Sequence, residues 1–131
     1  MIKRVITFGT FDVFHIGHIN ILERARRQGG YLVVGVSSDR LNFSKKQRYP
    51  VYPQAQRVKI LESLRFVDKV FIEESLDLKA GYIKEYEADV LVMGDDWAGK
   101  FNDMQQYCEV VYLPRTPSIS TSEIIEVVKA L

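Results

Sequence analysis

Two imidazoles, His15 and His18, stand three residues apart in the stretch Gly9-Thr10-Phe11-Asp12-Val13-Phe14-His15-Ile16-Gly17-His18. The apolar run Val5-Ile6-Thr7-Phe8 before it reads as a buried strand. Ile16 to Arg27 after it reads as a helix with Ile19, Leu22 and Ala25 near one face. The histidines therefore fall at the start of that helix and project to the same side of it. A turn at the carboxyl end of a parallel strand is where ligands collect, and the unpaired N–H groups opening the next helix suit an anion. Gly9 and Gly17 leave room for close approach. The chemistry predicted is phosphate binding, with the imidazoles donating to oxygens that gain charge as a bond breaks and either ring able to be cationic near neutral pH. Two plainer uses compete: the rings could cap or pack the helix, or bind zinc as a pair. Zinc normally takes three or four protein ligands, and the single cysteine, Cys108, has no Cys-x-x-Cys partner.

Three further clusters carry chemistry. Asp39 to Tyr52 shows no obvious element and gathers Lys45, Lys46 and Arg48. Charge runs are ordinarily solvated, but a long loop following the second strand, beside the first motif, suits a lysine that reaches triphosphate oxygens and closes after binding. Gly94-Asp95-Asp96-Trp97 follows a short strand. Its carboxylates could serve magnesium, general base work or the exocyclic amino group of cytosine, and turn or packing roles are equally open. In Arg115-Thr116-Pro117-Ser118-Ile119-Ser120-Thr121 the guanidinium offers a planar fork for phosphate, and the hydroxyls and helix-opening N–H groups add donors. Arg57 and Arg65, eight apart on a predicted helix, lie about two turns along one side, facing either an anion or solvent.

Five short apolar runs must position these groups: Arg4 to Phe8, Tyr31 to Ser37, Lys69 to Ile72, Val90 to Met93 and Val110 to Leu113. They lack polar alternation, as strands covered on both faces do, and helical stretches at Ile16 to Arg27, Gln54 to Phe66 and Leu78 to Tyr86 supply the cover. The expected fold is α/β, a Rossmann-like doubly wound parallel sheet of about five strands in a three-layer sandwich. Pro53 suits the first turn of its helix. Ser120 and Glu123 make a capping box for a last helix carrying Ile124, Ile125, Val128 and Leu131 to the C-terminus.

A chain of 131 residues, 47% hydrophobic, suffices for one domain spanning 1–131. Eighteen basic against seventeen acidic residues leave +1, so no global field points to nucleic acid or a membrane surface. One cysteine excludes an internal disulfide. With neither a signal peptide nor an apolar run of membrane length, a reducing cytoplasm is expected. Cys108 reads as a small buried hydrophobe before the last strand. A Walker-type kinase and a dinucleotide oxidoreductase are disfavoured, since neither Gly-x-x-x-x-Gly-Lys-Ser/Thr nor Gly-x-Gly-x-x-Gly occurs.

The Gly-Thr-Phe-Asp-x-x-His-x-Gly-His pattern at 9–18 resembles the signature of the cytidylyltransferase family, within the larger group of nucleotidyltransferases that share His-x-Gly-His. The resemblance spans essentially the whole chain. Gly94-Asp95-Asp96-Trp97-x-Gly-Lys100-Phe101 and Glu109-Val-Val-Tyr-Leu-Pro-Arg115-Thr116 bring it nearest to members that use glycerol 3-phosphate. It implies transfer of a cytidylyl group from CTP to sn-glycerol 3-phosphate by in-line attack on the α-phosphorus, giving CDP-glycerol and pyrophosphate for teichoic acid or related polymers. Catalysis would rest on His15, His18, Lys45 and Arg115, with Lys45 preferred to Lys46 because it stands three residues after Asn42. CTP would be held by Gly9, Thr10, Phe11, His15, His18, Arg65, Asp95, Arg115, Thr116, Ile119, Ser120 and Thr121, with Asp95 reading the cytosine amino group. Lys45 and Arg57 would meet the acceptor, and Asp12 would orient the loop. No metal site on the protein is implied; Mg2+ would arrive with CTP, and a homodimer is expected. The chain departs from the family at Ser118, which occupies a glycine position and is strained if that position has positive φ. A sibling using phosphocholine, phosphoethanolamine or ATP would share this apparatus, as would a non-catalytic nucleotide sensor.

Overall fold

The computed structural model describes residues 2–131. Five parallel strands, β1 (Arg4–Gly9), β2 (Tyr31–Ser37), β3 (Lys69–Glu73), β4 (Val90–Gly94) and β5 (Glu109–Leu113), pair in the order β3-β2-β1-β4-β5. Helices α1 (Ile16–Arg27), α2 (Asp39–Lys46), α3 (Gln54–Glu62), α4 (Lys79–Glu85) and α5 (Thr121–Lys129) alternate with them. Short 3₁₀ segments fill Leu76–Leu78, Asp95–Trp97 and Asn102–Gln106. Val5, Leu32, Val34, Val36 and Val92 pack with α1 on one face, and Ile6, Val33, Leu91 and Met93 pack with Ile83 of α4 on the other. Burial on both faces explains why these strands carry apolar residues at consecutive positions. Within β1 the polar Thr7 is buried and donates its hydroxyl to the Val92 carbonyl at 2.6 Å.

The doubly wound sandwich is the one expected, and β2 and α1 have the expected bounds. The segment 39–52 differs, because its first half is α2. Ser38 caps it by accepting the Leu41 N–H at 3.0 Å, and Gln47 ends it in the left-handed region at φ 59°. Only Leu41 and Asn42 are buried in α2, so it lacks the apolar stripe that reveals helices in sequence. Pro53 sits at the N-cap of α3 rather than inside its first turn. That helix stops at Glu62, four residues before the expected Phe66, where Ser63 turns its hydroxyl back onto the Lys59 carbonyl at 2.8 Å. Among the described residues no helix is long and apolar enough to cross a membrane.

β1 lies between β2 and β4, so the chain leaves the sheet in opposite directions on its two sides. At the carboxyl ends of β1 and β4 this reversal opens a crevice, the place where open α/β sheets bind ligands.

Candidate active site

A cavity of about 860 Å³ occupies that crevice, bounded by the ends of β1 and β4 and the N-termini of α1 and α5. His15, His18, Lys45, Arg115, Gly9, Thr10, Phe11, Asp12, Thr116, Ile119, Ser120 and Thr121 all line it. A shallower hollow of about 510 Å³ near Asp89, at the opposite end of the sheet, is bordered by Lys84, Glu87 and Tyr107 and collects no such set.

The two histidines cap α1 reciprocally. His15 is the N-cap, and its Nδ1 accepts the Gly17 N–H at 3.0 Å; His18 Nδ1 accepts the His15 N–H at 3.1 Å. Capping and ligand binding, alternatives in the sequence, are compatible here. Each Nδ1 accepts, so each neutral ring must carry its proton on Nε2, the nitrogen left free to donate. The rings stack 3.8 Å apart, and a Cβ at Gly17 would stand 2.8 Å from His15 Cε1, which is why glycine is required between them.

The expectation that either ring is cationic near neutral pH is corrected. Burial, then the His15 ring and Arg115, holds His18 down to about 3. Burial, then Arg115, lowers His15 as well. The unfolded chain takes up a proton near 6.5 that folded His18 refuses, so stability is complete above that value and declines as pH falls towards 3. Between pH 7 and pH 5 this amounts to about 2 kcal/mol from His18. Denaturant melts at the two pH values should show that loss in the native chain and much less in His18→Gln.

The loop before α1 is held against its own preferences. Phe11 and Val13 have φ of 55° and 46°, a region costly for a β-branched valine. Asp12 compensates: its carboxylate accepts the N–H groups of Val13 (3.0 Å), Val51 (2.7 Å) and Tyr52 (2.8 Å). Its carbonyl takes the Thr121 hydroxyl at 2.7 Å. Thr121 has thus committed its proton. Ser120 Oγ accepts the Glu123 N–H at 3.1 Å and Thr116 Oγ1 accepts from Asn20 at 3.0 Å, which leaves both hydroxyl protons available. Ser118 has φ 60°, so the strain foreseen at the glycine position is present.

Arg115 lies across the backbone of Gly94, where a Cβ would fall 2.6 Å from Nη2, and its Nε donates to Asp96 Oδ1 at 2.9 Å. Asp96, not Asp95, lines the cavity; Asp95 opens the 3₁₀ turn with its side chain exposed. Arg57 is also elsewhere. It is wholly buried, its Nη1 donating to the carbonyls of Thr10 (2.9 Å) and Ser37 (2.8 Å), Nε to Tyr52 (2.9 Å) and Nη2 to Asp39 (2.7 Å). It ties β1, β2 and the segment before α3 together from beneath the site. Arg65 follows the end of α3, exposed and off the cavity lining. Cys108 is half-buried against the second core cluster, and burial raises its thiol.

Several lining residues went unnoticed in the sequence, Glu73, Lys79, Leu76 and Ser122, and Ile125 was read only as part of an apolar helix stripe. Glu73 and Lys79 form a buried ion pair at 2.6 Å. Six residues apart across a 3₁₀ turn, they follow no helical or strand period that would announce them.

Fold and site together define a doubly wound α/β domain that gathers cationic side chains and the N-termini of α1 and α5 around one crevice at the reversal of the sheet. A cytidylyltransferase-like family profile matches residues 6–127, and the chain belongs to that family. Glycerol-3-phosphate cytidylyltransferase of Bacillus subtilis (strain 168) is 49% identical over 129 residues, covering 98% of this chain and 99% of its own. The enzyme of that name from Staphylococcus aureus (strain NCTC 8325 / PS 47) is 46% identical over 122 residues, covering 93% and 92%. In three dimensions the lipopolysaccharide core biosynthesis protein of Thermoplasma volcanium GSS1 superposes with a TM-score of 0.75 at 23% identity, over 88% of this chain and 99% of the other, a likeness of fold.

Proposed function

We propose that the protein transfers a cytidylyl group from CTP to sn-glycerol 3-phosphate, releasing pyrophosphate and CDP-glycerol, an activated donor for teichoic acid or related polymers. The observation that carries this reading is the convergence of His15, His18, Lys45 and Arg115 on one cavity at the reversal of the sheet. Near full-length identity to glycerol-3-phosphate cytidylyltransferases supports the choice of substrates.

The acceptor phosphate is already ionised at pH 7, so attack on the α-phosphorus needs alignment and charge stabilisation, not a general base. The Nε2–H groups of His15 and His18 donate to the phosphate oxygens on which charge grows. Arg115, Thr116, Ser120 and the N-terminus of α5 receive the departing pyrophosphate. Gly9, Thr10, Phe11, Ile119 and Thr121 shape the nucleotide's bed. Lys45 bridges the reacting phosphates, and Lys79 joins it on the acceptor side, a place Arg57 cannot reach.

Each carboxylate lining the cavity is engaged: Asp12 with backbone N–H groups, Glu73 with Lys79, Asp96 with Arg115. That donor set fits magnesium carried in by the triphosphate and not a cage built on the protein. The acceptor side of the cavity carries Lys45, Lys46, Arg48 and Lys79 against Glu73 alone, so the cationic head of phosphocholine or phosphoethanolamine would meet like charge there. A homodimer remains part of the proposal, and exposed Val127 and Val128 on α5 are apolar surface that a second copy could cover.

Pyrophosphate release from CTP is the direct test, measured with sn-glycerol 3-phosphate, phosphocholine and phosphoethanolamine in parallel. Release with glycerol 3-phosphate in clear preference is expected. Preference for another acceptor would reassign the substrate, and CTP binding with no release would mark a sensor.

A further inference from the structure

Across the cavity from the imidazoles, β3 ends on Glu73, whose carboxylate accepts from Lys79 Nζ at 2.6 Å. The two side chains are 1% and 5% exposed, and the ammonium sits 4.3 Å from the Phe8 ring centroid and 5.3 Å from that of Phe101. A buried ion pair is a poor stabiliser in its own right, because desolving both charges offsets their attraction and an apolar pair of like volume packs as well. This pair also borders the cavity that Lys45 lines. Lys79 has three N–H protons. Glu73 takes one, and the aromatic faces balance charge without accepting the others in line.

Four charges act on Lys45: Glu73 on β3, Lys79 on α4, Arg57 on α3 and Lys46 on its own helix. Burial lowers the Lys45 ammonium most; Glu73 pulls it back up, while the three cations push it further down. Glu73 is thus the one attractive charge among these groups.

We propose that Glu73 is the positioning residue of the acceptor subsite: its carboxylate holds the ammonium groups of Lys79 and Lys45 together at one side of the cavity, ready to pass to an incoming phosphate dianion. The proposal rests on the transferase reading above. Glu73 does not touch the acceptor. With the ammonium groups in front of it, one negative charge behind two positive ones still leaves an attractive site for an anion. Without it, two ammonium groups in a desolvated pocket repel one another.

Glu73→Gln keeps the length of the side chain and a hydrogen-bond acceptor while removing the charge. The expected result is at least a tenfold fall in kcat/KM for sn-glycerol 3-phosphate, with kcat/KM for CTP within about twofold of the native value. The alkaline limb of the acceptor profile should also move to lower pH, because the Glu73 charge that raises the Lys45 ammonium is gone. Should the glutamine variant not fold, Glu73→Asp retains the charge but withdraws it by one methylene; a raised KM for the acceptor with CTP unaffected is then expected. Equal losses for both substrates, no loss for either, or an unmoved alkaline limb in Glu73→Gln would overturn the proposal. If the native protein prefers another phosphorylated alcohol, the acceptor assignment fails and the same ratios are measured with that alcohol. If it turns over none, calorimetric titration of sn-glycerol 3-phosphate into native and variant protein makes the comparison.

Discussion

Replacing His18 with alanine is expected to lower turnover by about a hundredfold or more in a protein that remains folded, the scale on which a preorganised donor acts. The ring has two nitrogens with separate uses in the proposal: Nδ1 accepts the His15 N–H at 3.1 Å, and Nε2, which must carry the proton, is left to donate to substrate from a residue that lines the cavity. The uses separate by substitution. Asparagine places an oxygen near the position of Nδ1 and can keep the cap, but offers nothing at Nε2. Glutamine reaches the Nε2 position with an amide donor. Loss of a helix cap costs about 1 kcal/mol, too little to unfold the domain and unconnected to kcat. His18→Asn should therefore keep the native melting temperature within a few degrees and lose turnover nearly as fully as His18→Ala, with His18→Gln intermediate. Steady-state kinetics with both substrates saturating, alongside thermal melts, checks this. Native-like turnover in His18→Asn would show that only the cap matters.

Arg115→Ala is expected to cost a comparable factor, about a hundredfold or more in kcat/KM for CTP, because the proposed function uses the guanidinium as a planar fork for phosphate at the mouth of α5. Its placement depends on two neighbours. Nε is anchored to Asp96 at 2.9 Å, which leaves the terminal nitrogens free, and the plane lies so close to Gly94 that an added Cβ would come within 2.6 Å of Nη2. Gly94→Ala, far more conservative as chemistry, should thus reproduce much of the Arg115→Ala loss by pushing the guanidinium aside. Arg115→Lys should recover little, since an ammonium supplies charge without the fork. Full activity in Gly94→Ala would show that the arginine has room to work from another position.

Strand positions and α1 were legible because burial on both faces writes itself as unbroken apolar runs, and an amphipathic helix as a stripe. The helix α2 was not, since its surface is charged on nearly all sides and its start is signalled only by Ser38. The motif histidines, the lysine cluster and Arg115 could be singled out because imidazole, ammonium and guanidinium groups have few uses beside the carboxyl end of a sheet, and the structure brings them to one cavity. Arg57 and Arg65 were grouped by helical spacing, which measures position along a helix but not what lies beneath it. Arg57 points into the domain and joins three segments, while α3 ends before reaching Arg65. For the carboxylates, adjacency in sequence concealed opposite fates: Asp96 turns to Arg115 and Asp95 to solvent.

By itself the chain's order of residues determined the alternation of elements, the kind of anion to expect and the groups able to bind it, because these depend on periodicity and functional-group chemistry. Only the folded arrangement decided which nitrogen of each imidazole is free, that both rings stay uncharged, and that Glu73 and Lys79 meet across a sharp turn beside the substrate cavity. Protonation, tautomer and ion pairing follow from burial and from partners far away along the chain, and neither quantity exists until the sheet has closed against its helices.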